Sequence, residues 1–322
     1  MKPFASTSAF VACAAVAALS PLWGCSAAME SSKLEDRARR EVPVPICLKA
    51  LERRSSAGAS TATPADYWSL VLPSYDAGAS TVDRSAPDCA GREVFSNPLF
   101  QDADGSRTGM IPAKPEDLTV TAGANDFKVL WFRAQTFGNG EAGGPLALAR
   151  PREGTAEAYA IGLYRGNPST SRFAIERLGP RILVTASDEG CTGAKAGQGC
   201  QTRLDVFLMN AGQLLTVANL TLDRIQYGTA PGVVGGVQYR MTATPIFDPK
   251  QIRVSEQVVV RDSTQTAIRK SNLDRTFTLK GGTLVASAPS LWDQVVAPSP
   301  SPSPPTPAAL PPAIPPKPGP KK

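Results

Sequence analysis

From Asp126 to Ala286 the sequence is a succession of short apolar runs: Lys128-Val-Leu-Trp-Phe-Arg133, Pro145-Leu-Ala-Leu-Ala149, Ala156-Glu-Ala-Tyr-Ala-Ile-Gly-Leu163, Arg172-Phe-Ala-Ile-Glu176, Arg181-Ile-Leu-Val-Thr185 and Thr202-Arg-Leu-Asp-Val-Phe-Leu208. Gly, Pro or Asn separates most of them, which is how strands are bounded. In the last run Leu204, Val206 and Leu208 alternate with Arg203, Asp205 and Phe207, the period-two pattern of a half-buried strand. Leu220 and Leu222, Tyr239 and Met241, Ile252 and Val254, and Phe277 and Leu279 continue it. Roughly ten strands at short intervals with few helical repeats predict a mainly β domain over 125–296, an antiparallel meander closed as a sandwich or a barrel. Periodicity does not choose between these closures or against a partial propeller, although no repeat is regular enough to mark blades.

Ahead of this domain the sequence predicts one or two short N-terminal helices. Ser32-Lys-Leu-Glu35 has the form of a capping box, in which serine and glutamate side chains satisfy each other's backbone amides. The helix it starts should stop before Pro43, because a residue preceding proline avoids helical geometry. Pro45 can open a second helix that turns Ile46, Leu48 and Leu51 inward and ends by Gly58, so 25–58 reads as an anchor and short helical segment. Residues 59–124 are rich in Gly, Pro, Ser, Thr and Asp, with apolar islands such as Tyr67-Trp-Ser-Leu-Val-Leu72. This predicts an irregular lead-in with a few strands, packed on the β body. Asp102-Ala-Asp104-Gly-Ser106 opens like a calcium loop, but Arg107 and Ala113 stand where the EF-hand needs glycine and glutamate, and a polar turn is the better reading.

The first residues have a separate logic. Lys2 gives a positive start, Phe10-Val-Ala-Cys-Ala-Ala-Val-Ala-Ala-Leu19 an apolar stretch, and Pro21 ends it before Leu22-Trp-Gly-Cys25. The apolar run falls short of the ~20 residues of a membrane span and has the layout of an export signal. Together these residues resemble the lipobox-type signal peptide of bacterial lipoproteins. The resemblance implies that 1–24 is removed and that the Cys25 sulfur carries diacylglycerol, with palmitate labelling as its signature. Ser26, where aspartate would retain such a protein, implies an outer-membrane anchor facing the periplasm or the surface. A plain secretory cut after Ala27 or Ala28 is the competing reading, and it too exports the chain.

Either cut leaves Cys47, Cys89, Cys191 and Cys200, an even set that predicts disulfides in an exported protein. Cys191 and Cys200 flank a glycine-rich loop without an apolar anchor, and bridging them contributes about 2–3 kcal/mol by loop closure. Cys47–Cys89 follows by elimination. A four-cysteine zinc site is the alternative, but no Cys-x-x-Cys pair exists, so no metal ligand is assigned.

Charge and the missing residue type narrow the function. Of 34 basic and 28 acidic residues only Lys2 lies before Cys25, which leaves +5 after processing, and three of those charges are Lys317, Lys321 and Lys322. A body so nearly neutral argues against nucleic acid, whose binders concentrate positive charge on the fold. The chain has no histidine, which removes Ser-His-Asp and Cys-His catalysis and imidazole ligation. No lysine has serine three positions before it, so a Ser-x-x-Lys dyad is missing as well. Paired carboxylates remain as the enzymatic route, and Asp188-Glu189 with Asp205 or Glu176 is the grouping to nominate, against a solvated turn as the plainer account. Trp131, Tyr159, Tyr164, Tyr227 and Tyr239 could stack on sugars, but cross-strand packing explains them more simply. Gly143-Gly144, Gly235-Gly236 and Gly281-Gly282 read as turns or bulges. No cofactor motif is present, and no residue is assigned as catalytic.

The last segment, 297–322, holds twelve prolines in 26 residues, so it can form neither ladder nor α-helix. It should be a disordered, extended tail, about 80 Å long as polyproline II. Its Pro/Lys composition is similar to the envelope-spanning region of TonB-like proteins, which implies a reach toward peptidoglycan or another envelope protein; an unselected tail is the alternative. The sequence as a whole predicts a lipid-anchored cell-envelope protein acting as a non-catalytic binding or structural module. A glycan-active enzyme using paired carboxylates is its rival.

Overall fold

The computed structural model describes residues 43–51, 62–104, 109–191 and 199–296, with only the backbone of Ala124 and Cys191. The signal segment, Cys25, the helix expected after Ser32 and the tail 297–322 lie outside the described residues.

The helix expected from Pro45 is a strand. β1 (Cys47–Ala50) pairs antiparallel with Thr155–Ala158. Ile46 N donates to Ala158 O at 2.7 Å, and Cys47 is tied to Cys89 by a disulfide with Cα atoms 6.0 Å apart. An open sheet edge and a covalent staple outweigh a local preference worth only tenths of a kcal/mol per residue. Leu48, expected inward, is 66% exposed. The helix of this region lies later, in the stretch expected to be irregular. α1 (Pro64–Val71) has proline in its first turn and a capping box, with Asp66 N donating to Thr63 Oγ1 at 3.3 Å and Thr63 N to Asp66 Oδ2 at 2.8 Å. It buries Tyr67, Trp68, Leu70 and Val71. A small two-stranded sheet, β2 (Thr81–Asp83) with β3 (Met110–Pro112), completes the lead-in.

The first large sheet contains β4 (Leu118–Ala122), β5 (Lys128–Phe132), β6 (Gln135–Thr136), β7 (Ala142–Arg152) and β8 (Thr155–Gly166). Its antiparallel order is β4-β5-β7-β8, with β1 added to β8 and β6 to β7. Gly144 lies inside β7, not in the turn or bulge expected of it; a Cβ there would lie 1.8 Å from Phe132 O, so only glycine admits β5 so close.

An uninterrupted antiparallel meander follows: β9 (Arg172–Leu178), β10 (Arg181–Cys191), β11 (Cys200–Asn210), β12 (Gln213–Gly228), β13 (Val237–Phe247), β14 (Ile252–Arg261), β15 (Ala267–Lys280) and β16 (Thr283–Ala286). Gly281 and Gly282 make the β15–β16 turn at φ +57° and +87°, as their pairing predicts. β12 carries the meander between layers: it pairs with β11 from Gln213 to Arg224 and with β13 from Asp223 to Gly228. A short α2 (Leu291–Val296) closes the described chain.

The result is sandwich-like and mainly β, and it is not a closed barrel. Trp131, Leu146, Leu148 and Tyr164 from the first sheet meet Phe173, Val184 and Phe207 from β9, β10 and β11. The opposite side of β10 and β11, with Leu183, Val206 and Leu208, meets Ile252, Val254 and Phe277. β11 is therefore buried on both faces from Leu204 to Leu208, not half-buried as its alternation suggested. The lead-in covers the outer side of the first sheet, Trp68 and Val71 against Leu130, Phe132 and Ala147. Each such apolar side chain contributes about 1.5–3 kcal/mol by leaving water.

Candidate functional site

The two large sheets part along one seam. β8 and β12 touch through a single parallel bridge, Ile161 with Gln213. Beside it Gly162 allows the tightest approach, since a Cβ there would lie 2.4 Å from Leu214 O. Past that point the strands diverge, and the gap holds two adjoining cavities of about 470 and 380 Å³ that share Leu99, Leu163 and Thr216.

Charged side chains line this seam in pairs. Arg165, on β8, donates from Nε to Glu141 Oε2 at 2.5 Å and from Nη1 to Asp102 Oδ1 at 2.7 Å, with its guanidinium 3.6 Å from the centre of the Phe137 ring. Arg203, on β11, has Nη2 3.5 Å from Asp188 Oδ2 and Nε 3.6 Å from Asp205 Oδ2. The latter is an ion contact too long for a good hydrogen bond. Nearer the bridge, Arg92 Nη2 lies 2.8 Å from Asp88 Oδ2, and its Nη1 donates to Ile161 O at 3.2 Å.

The two buried aspartates beside Arg203 differ in environment. Asp188 Oδ1 accepts from Asn167 N at 3.1 Å, Thr170 Oγ1 at 2.9 Å and Ser171 Oγ at 3.4 Å. Asp205 accepts from the Asn219 amide, yet burial pushes its carboxyl up; Arg203 and Asn219 oppose that rise and Asp188 adds to it. Burial also raises Tyr164, whose hydroxyl lies 3.1 Å from Ser171 Oγ. Burial disfavours the charge on Glu141 too, but hydrogen bonds from Asn139 and Arg165 prevail and hold its carboxyl below the usual range. Asp102 is likewise lowered, chiefly by its bond to Arg165.

Of the carboxylates nominated from sequence, Asp188 and Asp205 meet at Arg203, neither in the solvated turn that was the plainer account, since they are 3% and 8% exposed. Glu189 is exposed, next along β10 and so on its other face. Glu176 lies on β9 beside a different cavity lined by Phe127, Ile182 and Phe247, where burial raises it. Asp102, considered for a calcium loop, is bonded to Arg165 instead. Sequence reading missed Arg165, Arg203, Glu141 and Asn219. Arg203-Leu-Asp205 was a usable signal, because residues two apart on a strand share a face.

The aromatic platform does not form. Trp131, Tyr159 and Tyr164 are interior, Trp131 and Tyr164 meeting edge to face with centroids 5.2 Å apart, while Tyr227 stands elsewhere at 49% exposure. The Cys47–Cys89 disulfide is formed. Cys200 is disulfide-bonded, and the β10–β11 register sets Cys191 opposite it. Among the described residues there is no group of three His, Cys, Asp or Glu placed to hold a metal, and no helix long and apolar enough to cross a membrane. A scan against protein-family models, a search of curated proteins and a search of solved structures each gave no match, so the seam itself is the basis for assigning a role.

Proposed function

We propose that this chain is a lipid-anchored cell-envelope protein whose β body acts as a non-catalytic binding module. The observation that carries the reading is the seam: an open groove in which the arginines and their neighbouring carboxylates are engaged with one another. Such an arrangement presents a fixed pattern of charge. Arg165 holds Asp102, and Asn139 and Arg165 hold Glu141, toward their ionised forms, whereas a general acid must carry its proton to the substrate. The lipobox resemblance at Leu22-Trp-Gly-Cys25 supports the anchor, Ser26 supports the outer membrane, and the proline- and lysine-rich tail supports a reach to peptidoglycan or a second envelope protein. Two tests apply. Replacing Cys25 by alanine should abolish palmitate labelling and release the protein from membranes, and retained labelling would refute the anchor. A pull-down from solubilised envelopes should recover a complex that survives removal of the tail but not unfolding of the β body.

One observation favours the glycan-active alternative. Asp205 is held toward its protonated form, as the general acid of glycoside hydrolysis must be. Activity on a peptidoglycan or polysaccharide substrate that disappears in both Asp188→Asn and Asp205→Asn, with folding intact, would decide for the enzyme.

A further inference from the structure

Among the described residues, no strand pairs with β12 on the side away from β11 between the bridge at Gln213 and the start of β13 pairing at Asp223. Leu214 is still held against Ile161 and Gly162 by the bridge; the residues from Leu215 to Leu222 offer an unpaired backbone edge to the seam, and Gln213, Leu214, Leu215, Thr216 and Asn219 line its cavities. An open edge of this kind is a template for another strand.

The facing edge of β8 is treated differently. Ile161 O accepts from Arg92 and Arg165 O from Arg203, both from the groove side. The two arginines thus occupy carbonyls of β8, while among the described residues no side chain bonds the β12 backbone from Leu215 to Leu222 in the same way. Both strands could have been protected in the same way, and only one is.

Charge selects the occupant. Leaving aside Asp205, which is held toward its protonated form, the groove and its immediate surround carry Asp88, Glu93, Asp102, Glu141 and Asp188 against Arg92, Arg165 and Arg203, so an excess of negative charge remains after pairing. The seam offers a glycan no aromatic face to stack on, since Tyr164 and Phe207 are only 2% exposed. The chain's own tail is a poor strand because proline has no N–H to give a ladder. We propose that the edge of β12 from Leu215 to Leu222 takes an extended, lysine-bearing peptide segment of a partner protein as an added strand. Backbone bonds supply the attachment, and the carboxylates of the seam select its charge.

This deepens the binding-module reading and rests on it. The test uses the full-length protein in detergent and a fluorescent Thr-Lys octapeptide. Two matched peptides accompany it: one N-methylated at alternate residues, and a Thr-Glu octapeptide. The Thr-Lys peptide should bind saturably below about 1 mM, with each of the others at least about ten-fold weaker. Hydrogen exchange should slow at residues 215–222 when it binds. The double variant Asp102→Asn/Glu141→Gln, checked for an unchanged melting curve, should weaken binding several-fold. Equal binding of the N-methylated peptide, protection confined to another region, or no binding at about 1 mM each overturn the proposal. If the pull-down still recovers a partner after such a result, the module reading stands and the seam is excluded as its site; if neither peptide nor partner binds, both fall.

Discussion

Glu256 shows how much one side chain can hold. It is 3% exposed on β14, and its carboxylate bonds Arg275 and accepts from Leu291 N at 2.6 Å, so one group both pairs a buried guanidinium and caps α2. Arg275 in turn donates from Nη1 to Ala288 O at 3.2 Å. Glu256→Ala leaves Arg275 with no comparable partner, and breaking a buried pair from one side costs about 3–5 kcal/mol. Urea denaturation should show that loss; a change under about 1 kcal/mol would mean the pair is solvated. Asp205 makes the opposite contribution. Its carboxyl is raised, chiefly by burial, so the folded state holds that proton more tightly than the unfolded chain does. Its contribution to stability is therefore present below the ordinary carboxylate pKa and declines as pH rises through the raised value. Asp205→Asn cannot ionise and can still accept from Asn219. Its melting temperature should gain on the wild type as pH rises from about 4 to about 7, and a difference independent of pH would contradict the assignment.

At the scale of elements, the Cys47–Cys89 bridge and β1 are one unit. The bridge closes a loop of sequence separation 42, and loop closure of that length is worth about 4 kcal/mol. Cys89→Ala should lose about that much in chemical denaturation and should speed hydrogen exchange at Ile46 N, the bond that starts the β1–β8 ladder. Loss of stability with β1 still protected would separate the two. The strands of the meander were legible because alternation survives wherever one face is wet: β14 reads Ile252, Val254, Glu256, Val258 and Val260 inward with Arg253, Ser255 and Gln257 between them. β1 was misread because Pro45 can open a helix as well as precede a strand, and nothing local reveals the vacant edge at Thr155–Ala158. The start of α1 was readable in Thr63-Pro-Ala-Asp66, where the capping pattern uses aspartate in place of the glutamate usually sought. The seam was not readable at all. Period two tells which face a residue takes, but it is silent on which edges meet, and β8 and β12 come together from distant parts of the sequence. Half of the site survived that blindness, since Asp188 and Asp205 lie on adjacent strands of one hairpin.

At the scale of the molecule, apolar layers stack from the lead-in through the first sheet to the meander, and the last of them runs along one face of β14 as two clusters, the second of which holds α2. Proline-rich sequence buries too little apolar surface to add to that stack, so a chain ending at Val296 should melt within about 2 °C of the full protein; a larger fall would mean that the tail packs on the body. α2 is then where the layers end and the tail begins. Trp292 sits in the last layer under the Arg224 guanidinium, 4.6 Å from its ring, and Glu256 holds the helix start. In mechanical terms this junction is a fuse. If the tail and the lipid are both held, tension enters through six helical residues secured by the buried Leu291 and Trp292 side chains and the Glu256 carboxylate, before it can load any rung of the β15–β16 hairpin. The strap would yield first and lengthen the tether while the sandwich, with its seam, stayed folded. Pulling on the C-terminus of a single molecule should therefore show a small, low-force extension ahead of the main rupture, and Glu256→Ala should erase it.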